Sequence, residues 1–328
     1  MKSEKLLRVL SLLLSAAVFA AFMQGCSAGK HKRKSGKISI VATIFTQYDF
    51  ARRIAGDRAD VTMLLKPGME AHSYEPSPKD IISISGCDLF LNVGGESESW
   101  LDSVLDSADN HNMLIVSAME CVEPIEEETA EGMQSRGHDH HDDDDGDGHD
   151  HEEEYDEHVW TSPMNAIAIV NRINEALCGI DPDNAEYYCS NTNEYVAELT
   201  ELDSMFRSVV AESKRKTLVF GDRFPLLYFV REYGLDYYAA FPGCAAETEP
   251  SAATVAYLIN TVRRERIPVV LYIELSNHKV ADAIAESTGT RTAQFNTCHN
   301  ISAKDFQAGE SYLSLMTANV GILREALN

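Results

Sequence analysis

The sequence predicts an α/β protein with two lobes, each with a parallel sheet flanked by helices, joined by a long rigid helix. Two observations support this fold class. Short apolar stretches typical of buried parallel strands alternate with helical stretches in both halves of the chain. Between the halves, apolar residues recur every three or four positions on one face of a single helix at 183–211. At 1.5 Å per residue this helix would span roughly 40 Å.

Strands and helices alternate in the same way in the two halves of the chain. In the first half we predict strands at 37–45, 61–65, 88–93 and 113–116, and helices at 47–56, from Ser77 onward, and at 100–108. A helix from Ser162 to about Cys178 precedes the long one. In the second half we predict strands at 217–220, 235–241, 269–274 and 292–296, and helices at 225–233, 252–264, 279–288 and 311–327. The chain shows no fixed-period repeat.

The N-terminus predicts export. Lys2, Lys5 and Arg8 precede an apolar stretch at 9–23, so we interpret residues 1–25 as a signal peptide. Gly25 before Cys26 resembles a bacterial lipobox, in which the cysteine receives a lipid. Residues 26–36 are basic and polar, which is typical of a tether at an anionic membrane surface. Plain secretion with a spare cysteine is the alternative.

Charge and composition exclude several classes of function. The formal net charge is −24, and residues 120–157 contain 18 acidic residues against the single base Arg136. Nucleic-acid binding needs clustered Lys and Arg, so we expect no nucleic-acid partner. The chain also lacks the glycine-rich motifs of nucleotide-binding proteins.

The most conspicuous stretch, 137–158, is rich in histidine and acidic residues. We predict a disordered loop over 123–154, because few apolar side chains are present and like charges repel. Imidazoles and carboxylates at this density are suited to a divalent metal. The loop histidines that we expect to bind metal are His138, His140, His141, His149 and His151. A solvated insertion without effect on function is the alternative.

Six cysteines remain in the exported chain besides Cys26, and an even number is compatible with disulfides. The sequence does not fix their pairing, and some of them could instead be buried thiols. The preferred pairs are Cys87 with Cys121, Cys178 with Cys189, and Cys244 with Cys298.

Polar residues just past the predicted strands define the candidate site, because sites in parallel α/β sheets form at the carboxyl ends of strands. In the first half these are Glu70, His72 and Glu75, followed by His158 at its end. The second half contributes Asp222, Glu247, Glu249, Glu274 and His299. Two histidines from one half and one from the other, with carboxylates, suit a metal in the cleft between lobes.

Each candidate ligand also has a structural interpretation. His72 could cap a loop, His158 could extend the acidic loop, and His299 could stabilise a turn. Asp222 could cap a helix or pair with Arg223. No catalytic motif is present, so we predict a protein that is not an enzyme. A zinc hydrolase with Asp222 or Glu274 as base remains an alternative, since three ligands would leave a position open for water.

Three motifs resemble those of the zinc/manganese solute-binding proteins of bacterial ABC importers. They are Glu70-Ala71-His72-Ser73-Tyr74-Glu75-Pro76, Asp156-Glu157-His158-Val159-Trp160 and Glu247-Thr248-Glu249-Pro250-Ser251. The acidic histidine loop before the second motif is typical of the zinc branch. The resemblance covers essentially the whole chain. It implies two α/β lobes at 37–160 and 216–328, a helical linker at 161–215 and one metal in the cleft.

One ligand departs from the family pattern. The family's third motif usually has a histidine where this chain has Gly221, before Asp222-Arg223-Phe224. We therefore expect His299 to replace the lost histidine. The expected zinc ligands are His72, His158 and His299, with Asp222, Glu70 or water completing the set. Three imidazoles favour Zn²⁺ over Mn²⁺, whose sites contain more carboxylate and water.

The resemblance implies a binding protein that captures zinc and hands it to an ABC permease driven by a separate ATPase. We expect a monomer that is anchored to the extracytoplasmic face of the cell membrane by the lipid on Cys26. A surface adhesin or zinc buffer without a transporter is a further alternative.

Overall fold

Two four-stranded parallel sheets form the framework of this computed structural model, which describes residues 36–71, 73–107, 110, 112–133, 154–243 and 249–328. The first sheet has the order β2-β1-β3-β4. Its strands are β1 (Ile38–Ala42), β2 (Ala59–Met63), β3 (Leu89–Asn92) and β4 (Leu114–Ser117). Its helices are α1 (Phe45–Ala55), α2 (Pro78–Ser85) and α3 (Leu101–Ser107). Single turns of 3₁₀ helix lie at Gly56–Arg58, Glu96–Glu98 and Met119–Cys121.

Local sequence signals explain where these elements begin. All four residues of β3 are buried, as the apolar sequence Leu-Phe-Leu predicts for a central parallel strand. Helix α2 begins where predicted, because Ser77 and Asp80 form a capping box and Pro78 occupies the first turn.

Two helices connect the lobes: α4 (Pro163–Ile180) and α5 (Ala185–Glu212), with a 3₁₀ turn at Pro182–Asn184 between them. Helix α5 has 28 residues, which corresponds to about 42 Å. Its buried face contains the predicted residues Tyr195, Leu199, Leu202, Phe206 and Val209. The helix packs against α1 and α4 on one side of the molecule and against helices of the second lobe on the other.

The second sheet repeats the topology of the first, with the order β6-β5-β7-β8. Its strands are β5 (Thr217–Phe224), β6 (Asp236–Pro242), β7 (Val269–Tyr272) and β8 (Arg291–Gln294). Its helices are α6 (Leu227–Tyr233), α7 (Ala252–Glu265), α8 (Lys279–Thr288), α9 (Ala303–Ala308) and α10 (Tyr312–Ala326). The pairing of β5 with β6 is irregular between Phe220 and Arg223. The predicted fold class is confirmed.

One apolar core runs through both lobes without a break. It includes Phe50 of α1, Trp160 between the lobes, Phe206 of α5 and Phe295 of the second lobe, all buried. Residues 38–328 form one compact unit. Within the described ranges, no helix has both the length and the apolar composition needed to cross a membrane. The predicted signal peptide and Cys26 lie outside the described residues.

Candidate functional site

A cavity lies at the carboxyl ends of both sheets, where the loops of the two lobes meet. Its volume, counted as the space that the centre of a water molecule can reach, is ≈ 30 Å³. The first lobe contributes the loop after β2 and His158, and the second contributes loops after β6, β7 and β8 together with Arg223 of β5. The lining residues are Met69, Glu70, Ala71, His158, Arg223, Pro225, Gly243, Ile273, Glu274, Leu275, Thr297, His299 and Asn300.

His158 is fully buried at this cavity, just before the 3₁₀ turn Val159–Thr161. Asp156 holds His158 through two contacts. The Asp156 Oδ1 atom accepts a hydrogen bond from the His158 backbone N–H at 2.7 Å and lies 3.2 Å from Nδ1 of the His158 ring. With Nδ1 directed at a carboxylate, Nε2 is the nitrogen that would bind a metal. Burial by itself would lower the pKa of His158, but the Asp156 carboxylate raises it above its ordinary value.

His299 lies opposite, in the loop after β8. Glu274 holds this loop, because its carboxylate accepts hydrogen bonds from Thr297 N at 2.7 Å, Thr297 Oγ1 at 2.6 Å and His299 N at 3.2 Å. The preceding residue, Cys298, is buried and has a left-handed backbone conformation, with φ of 61°. This conformation is unfavourable for a residue other than glycine, so tertiary contacts must maintain the turn that presents His299.

The two imidazoles are in edge-to-face contact at the cavity. Their ring centroids are 5.2 Å apart and their planes meet at 81°. Two imidazoles that share a tetrahedral zinc, with Zn–N distances of about 2.0–2.1 Å, have centroids roughly 5 Å apart. Trp160 packs against both rings, at 5.6 Å from His158 and 5.0 Å from His299. The pair therefore has the spacing that one shared metal ion requires.

The loop after β2 is tied to the second lobe beside this pair. The side-chain amide of Asn300 donates to Lys66 O at 2.9 Å and to Met69 O at 2.7 Å. Glu70 accepts hydrogen bonds from both terminal nitrogens of Arg223, at 3.3 and 3.0 Å. Glu70 is thus within the cavity lining, but its carboxylate pairs with a cation of the other lobe. His72, in the same loop, lies outside the described residues.

The structure does not bring Asp222 to the cavity lining. Its Oδ1 accepts from Arg223 N at 2.9 Å and its Oδ2 from Ile273 N at 3.3 Å, and burial raises the pKa of the carboxyl. These contacts favour a structural role over a metal-ligand role. The sequence placed Asp222 past the end of a strand at 217–220, whereas β5 continues to Phe224.

Gly221 does not occupy a ligand position either. A side chain at this position would meet the backbone of helix α8, since an added Cβ would lie 2.4 Å from Ala281 Cα. Arg223, two residues further on, is the β5 residue that lines the cavity. The expectation that Gly221 marks the missing ligand is therefore wrong. That expectation was based on the family motif and did not take account of the packing of β5 against α8.

Several other candidates fall outside the described residues: the loop histidines His138, His140, His141, His149 and His151, as well as Cys244 and Glu247. Among the residues that are described, no three His, Cys, Asp or Glu side chains form a cluster able to hold a metal. Of the predicted ligands, His158 and His299 are the two whose rings are in contact in the described part of the chain, and their role as metal ligands stays a prediction.

None of the predicted disulfides is present among the described cysteines. Cys87, Cys121, Cys178, Cys189 and Cys298 are free thiols in the structure. The pairing of Cys87 with Cys121 is wrong, because Cys87 precedes β3 and Cys121 follows β4 in a parallel pair, at opposite ends of the sheet. Cys178 and Cys189 are neighbours, with sulfur atoms 3.8 Å apart, so their disulfide stays a prediction.

Sequence reasoning did not assign a site role to Arg223, Asn300 or Glu98. Arg223 follows Asp222 and was considered only as its partner. Asn300 follows His299 directly, and its position past a strand was the signal that could have identified it. Glu98 lies in the sequence Gly-Glu-Ser-Glu, which looks like an exposed acidic turn but is only 7% exposed at Glu98.

The comparisons with known proteins agree with this architecture. The high-affinity zinc uptake system protein ZnuA of Bacillus subtilis (strain 168) is 33% identical over 324 residues, covering 96% of this chain and 97% of that protein. The zinc-binding lipoprotein AdcA of Streptococcus pneumoniae (strain ATCC BAA-255 / R6) is 32% identical over 316 residues. That match covers 95% of this chain but only 60% of AdcA, so the chain spans less than two thirds of the streptococcal relative.

A solved structure and a protein-family profile show the same similarity. The crystal structure of the Zn(II)-bound ZnuA-like domain of Streptococcus pneumoniae AdcA superimposes with a TM-score of 0.72 at 28% identity, covering 89% of this chain and 99% of that one. The profile of the family described as zinc-uptake complex component A periplasmic matches residues 40–326. The chain belongs to this family of zinc-uptake components.

Proposed function

We propose that this protein is an extracytoplasmic binding protein that captures Zn²⁺ in the cleft between its lobes and delivers it to an ABC permease driven by a separate ATPase. The observation that carries the proposal is the pair of imidazoles, His158 and His299, with centroids 5.2 Å apart in a cavity between the lobes. Membership of the zinc-uptake family supports zinc as the cargo. Capture needs only deprotonated ligands and no chemical step.

We further propose His72, His158 and His299 as the protein ligands of zinc. Imidazoles favour zinc over manganese. Glu70 is a weaker candidate because Arg223 already occupies its carboxylate, and Asp222 is weaker still because backbone amides occupy both of its oxygens. Water would complete the coordination.

The first experiment is purification without added metal, followed by elemental analysis and competition titration with a zinc chelator. We expect one zinc per chain, and we expect His158→Ala and His299→Ala each to weaken binding by at least tenfold. His278→Ala is the matched control, because His278 is exposed just before α8 and pairs with Asp282. If His299→Ala binds zinc as tightly as the parent, the ligand assignment is wrong.

We also propose that a lipid on Cys26 anchors the protein to the outer face of the cell membrane as a monomer. Mass spectrometry of the protein from its own membrane should find the lipid on Cys26, and Cys26→Ala should release the protein into the medium. Zinc uptake at scarce zinc should depend on the permease and ATPase genes. Uptake that is unchanged after deletion of either gene would contradict delivery to a transporter.

The histidine-rich segment is proposed as an accessory that collects metal for the site. Backbone hydrogen bonds from Glu127 N to Glu154 O at 2.7 Å and from Asp156 N to Ile125 O at 2.9 Å join the chain on either side of it. Deletion of residues 134–153 should therefore preserve the fold. We expect the deletion to leave the affinity of the main site unchanged and to slow uptake at scarce zinc.

A further inference from the structure

A second cavity lies behind His299, on the side of the first lobe. It measures ≈ 20 Å³ by the same definition, and its lining includes Thr43, Tyr74, Ser97, Glu98, Trp100 and His299. This volume is sufficient for one water molecule, which needs about 10–15 Å³ and two to four polar partners. The cavity contains several polar side chains, so it meets both conditions.

Among the described residues, His299 is the only histidine in the lining of both cavities, which also share Ala71. An imidazole has two nitrogen atoms, and only one of them can bind a given metal ion. The other nitrogen of a metal-binding histidine almost always donates to a carboxylate, a carbonyl or a water molecule, which fixes the tautomer and the orientation of the ring. For His299, the polar groups of the second cavity are in position to supply that partner.

Glu98 is the carboxylate in this second cavity. Its Oε2 accepts hydrogen bonds from Val93 N at 2.8 Å and Gly94 N at 3.0 Å. Its Oε1 is buried and accepts no hydrogen bond of normal geometry from the described residues, although the Thr43 hydroxyl is close enough to oppose the rise that burial causes in the pKa of this carboxyl. A buried carboxylate oxygen that receives no hydrogen bond of good geometry is unfavourable. The arrangement thus points to a group in the cavity that donates to Oε1.

We propose that Glu98 is a positioning residue for His299 and acts through one water molecule held in the second cavity. The water donates to Glu98 Oε1 and accepts the N–H of the His299 nitrogen that faces away from the metal. Glu98 thereby selects the tautomer of His299 whose other nitrogen presents its lone pair to zinc. This inference rests on the proposed role of His299 as a zinc ligand.

Glu98→Gln tests the proposal. Glutamine can still accept from Val93 N and Gly94 N, but its amide nitrogen would then face the cavity as a donor. We expect the zinc dissociation constant to rise 10- to 100-fold, as for other outer partners of metal-binding histidines. We also expect the ¹⁵N chemical shifts of the His299 ring in the zinc-free protein to change, which reports the tautomer directly. A general loss of structure would be seen in the thermal midpoint.

The matched control is Asp203→Asn. Asp203 is also buried and accepts hydrogen bonds from Tyr233 Oη at 3.0 Å and Arg207 Nε at 2.8 Å, but it lies on α5 and lines neither cavity. This variant should change neither zinc affinity nor the His299 ring shifts. It separates the effect of Glu98 from the general effect of neutralising a buried carboxylate.

The outcomes of the test are distinct. If the parent binds no zinc, the proposed function fails. If the parent binds zinc and His299→Ala weakens binding, but Glu98→Gln leaves the His299 ring shifts unchanged, the role of Glu98 is overturned while the proposed function stands. If Glu98→Gln does not fold, a high-resolution crystal structure of the parent decides: a water molecule bonded to both Glu98 and His299 supports the proposal, and its absence overturns it.

Discussion

Arg223 on β5 of the second lobe pairs through both terminal nitrogens with the carboxylate of Glu70, which follows β2 of the first lobe. The pair lies at the lining of the cavity between the lobes, and the Arg223 side chain is only 13% exposed. The Glu70 carboxylate neutralises the Arg223 guanidinium, whose charge would otherwise repel a divalent cation in the same cavity. We therefore expect Glu70 to affect zinc binding in two ways, through the position of its loop and through its charge.

Replacing Glu70 with glutamine should weaken zinc binding about fivefold, because a partly exposed ion pair contributes about 1 kcal/mol. Stopped-flow capture of released zinc by a chelator should show faster dissociation. Combining Glu70→Gln with Arg223→Gln should restore part of the affinity, because no uncompensated charge remains. If Glu70 were a direct ligand, the double variant would bind as weakly as the single one. The exposed pair Arg172 and Glu175 provides the control, Arg172→Gln.

A histidine introduced into β5 should have opposite effects at two nearby positions. Arg223→His should raise zinc affinity at least about tenfold over Arg223→Gln, because position 223 lines the cavity and an imidazole would add a ligand. Gly221→His should leave affinity unimproved and lower the free energy of unfolding by about 3 kcal/mol or more, because its side chain would collide with Ala281. Competition titration and urea unfolding measure the two effects.

The thiols of Cys178 on α4 and Cys189 on α5 should form a disulfide when the protein is treated with an oxidised small-molecule disulfide. Their sulfur atoms are 3.8 Å apart on the exposed side of the helix pair. The chain-entropy model assigns about 3 kcal/mol to a loop of this size. We expect a higher thermal midpoint and a cross-linked peptide in the mass spectrum. Cys189→Ser should abolish both, and Cys87 and Cys121 should remain unlinked to each other.

Asp49 on α1 should make stability depend on pH. Burial raises the pKa of its carboxyl group, even though the Tyr312 amide donates to it at 2.9 Å and opposes the shift. A carboxyl whose pKa is higher in the folded state contributes stability that is complete below its unfolded pKa, about 3.9, and is lost as pH rises through the folded pKa.

The variant Asp49→Asn should therefore be more stable than the parent at pH 7, with a difference that disappears near pH 3. Urea unfolding at several pH values measures this difference. Exposed Asp236→Asn is the control for the loss of one charge. A parent that is more stable than Asp49→Asn at pH 7 would contradict the expected sign.

The sequence was sufficient to predict the sheets, the long helix and the meeting of His158 with His299. Strand and helix periodicities are local signals, and parallel strands necessarily bring their following loops to one edge. The position of Arg223 could not be predicted in this way, because the irregular stretch of β5 between Phe220 and Arg223 changes which side chains face the cavity. Burial of Glu98 depends on tertiary contacts that its acidic sequence context does not reveal.

The unbroken core limits how far the two lobes can move relative to each other. Buried hydrogen bonds join the lobes through Trp160 Nε1 to Thr297 O at 2.9 Å and Tyr312 Oη to Trp160 O at 2.7 Å. Separating the lobes would break these hydrogen bonds and expose the aromatic core beneath them to water. We therefore expect the radius of gyration to stay constant as cargo enters and leaves. If the protein delivers zinc as proposed, the permease would have to recognise small displacements of the loops near Glu70 and Asn300, rather than a change in overall shape.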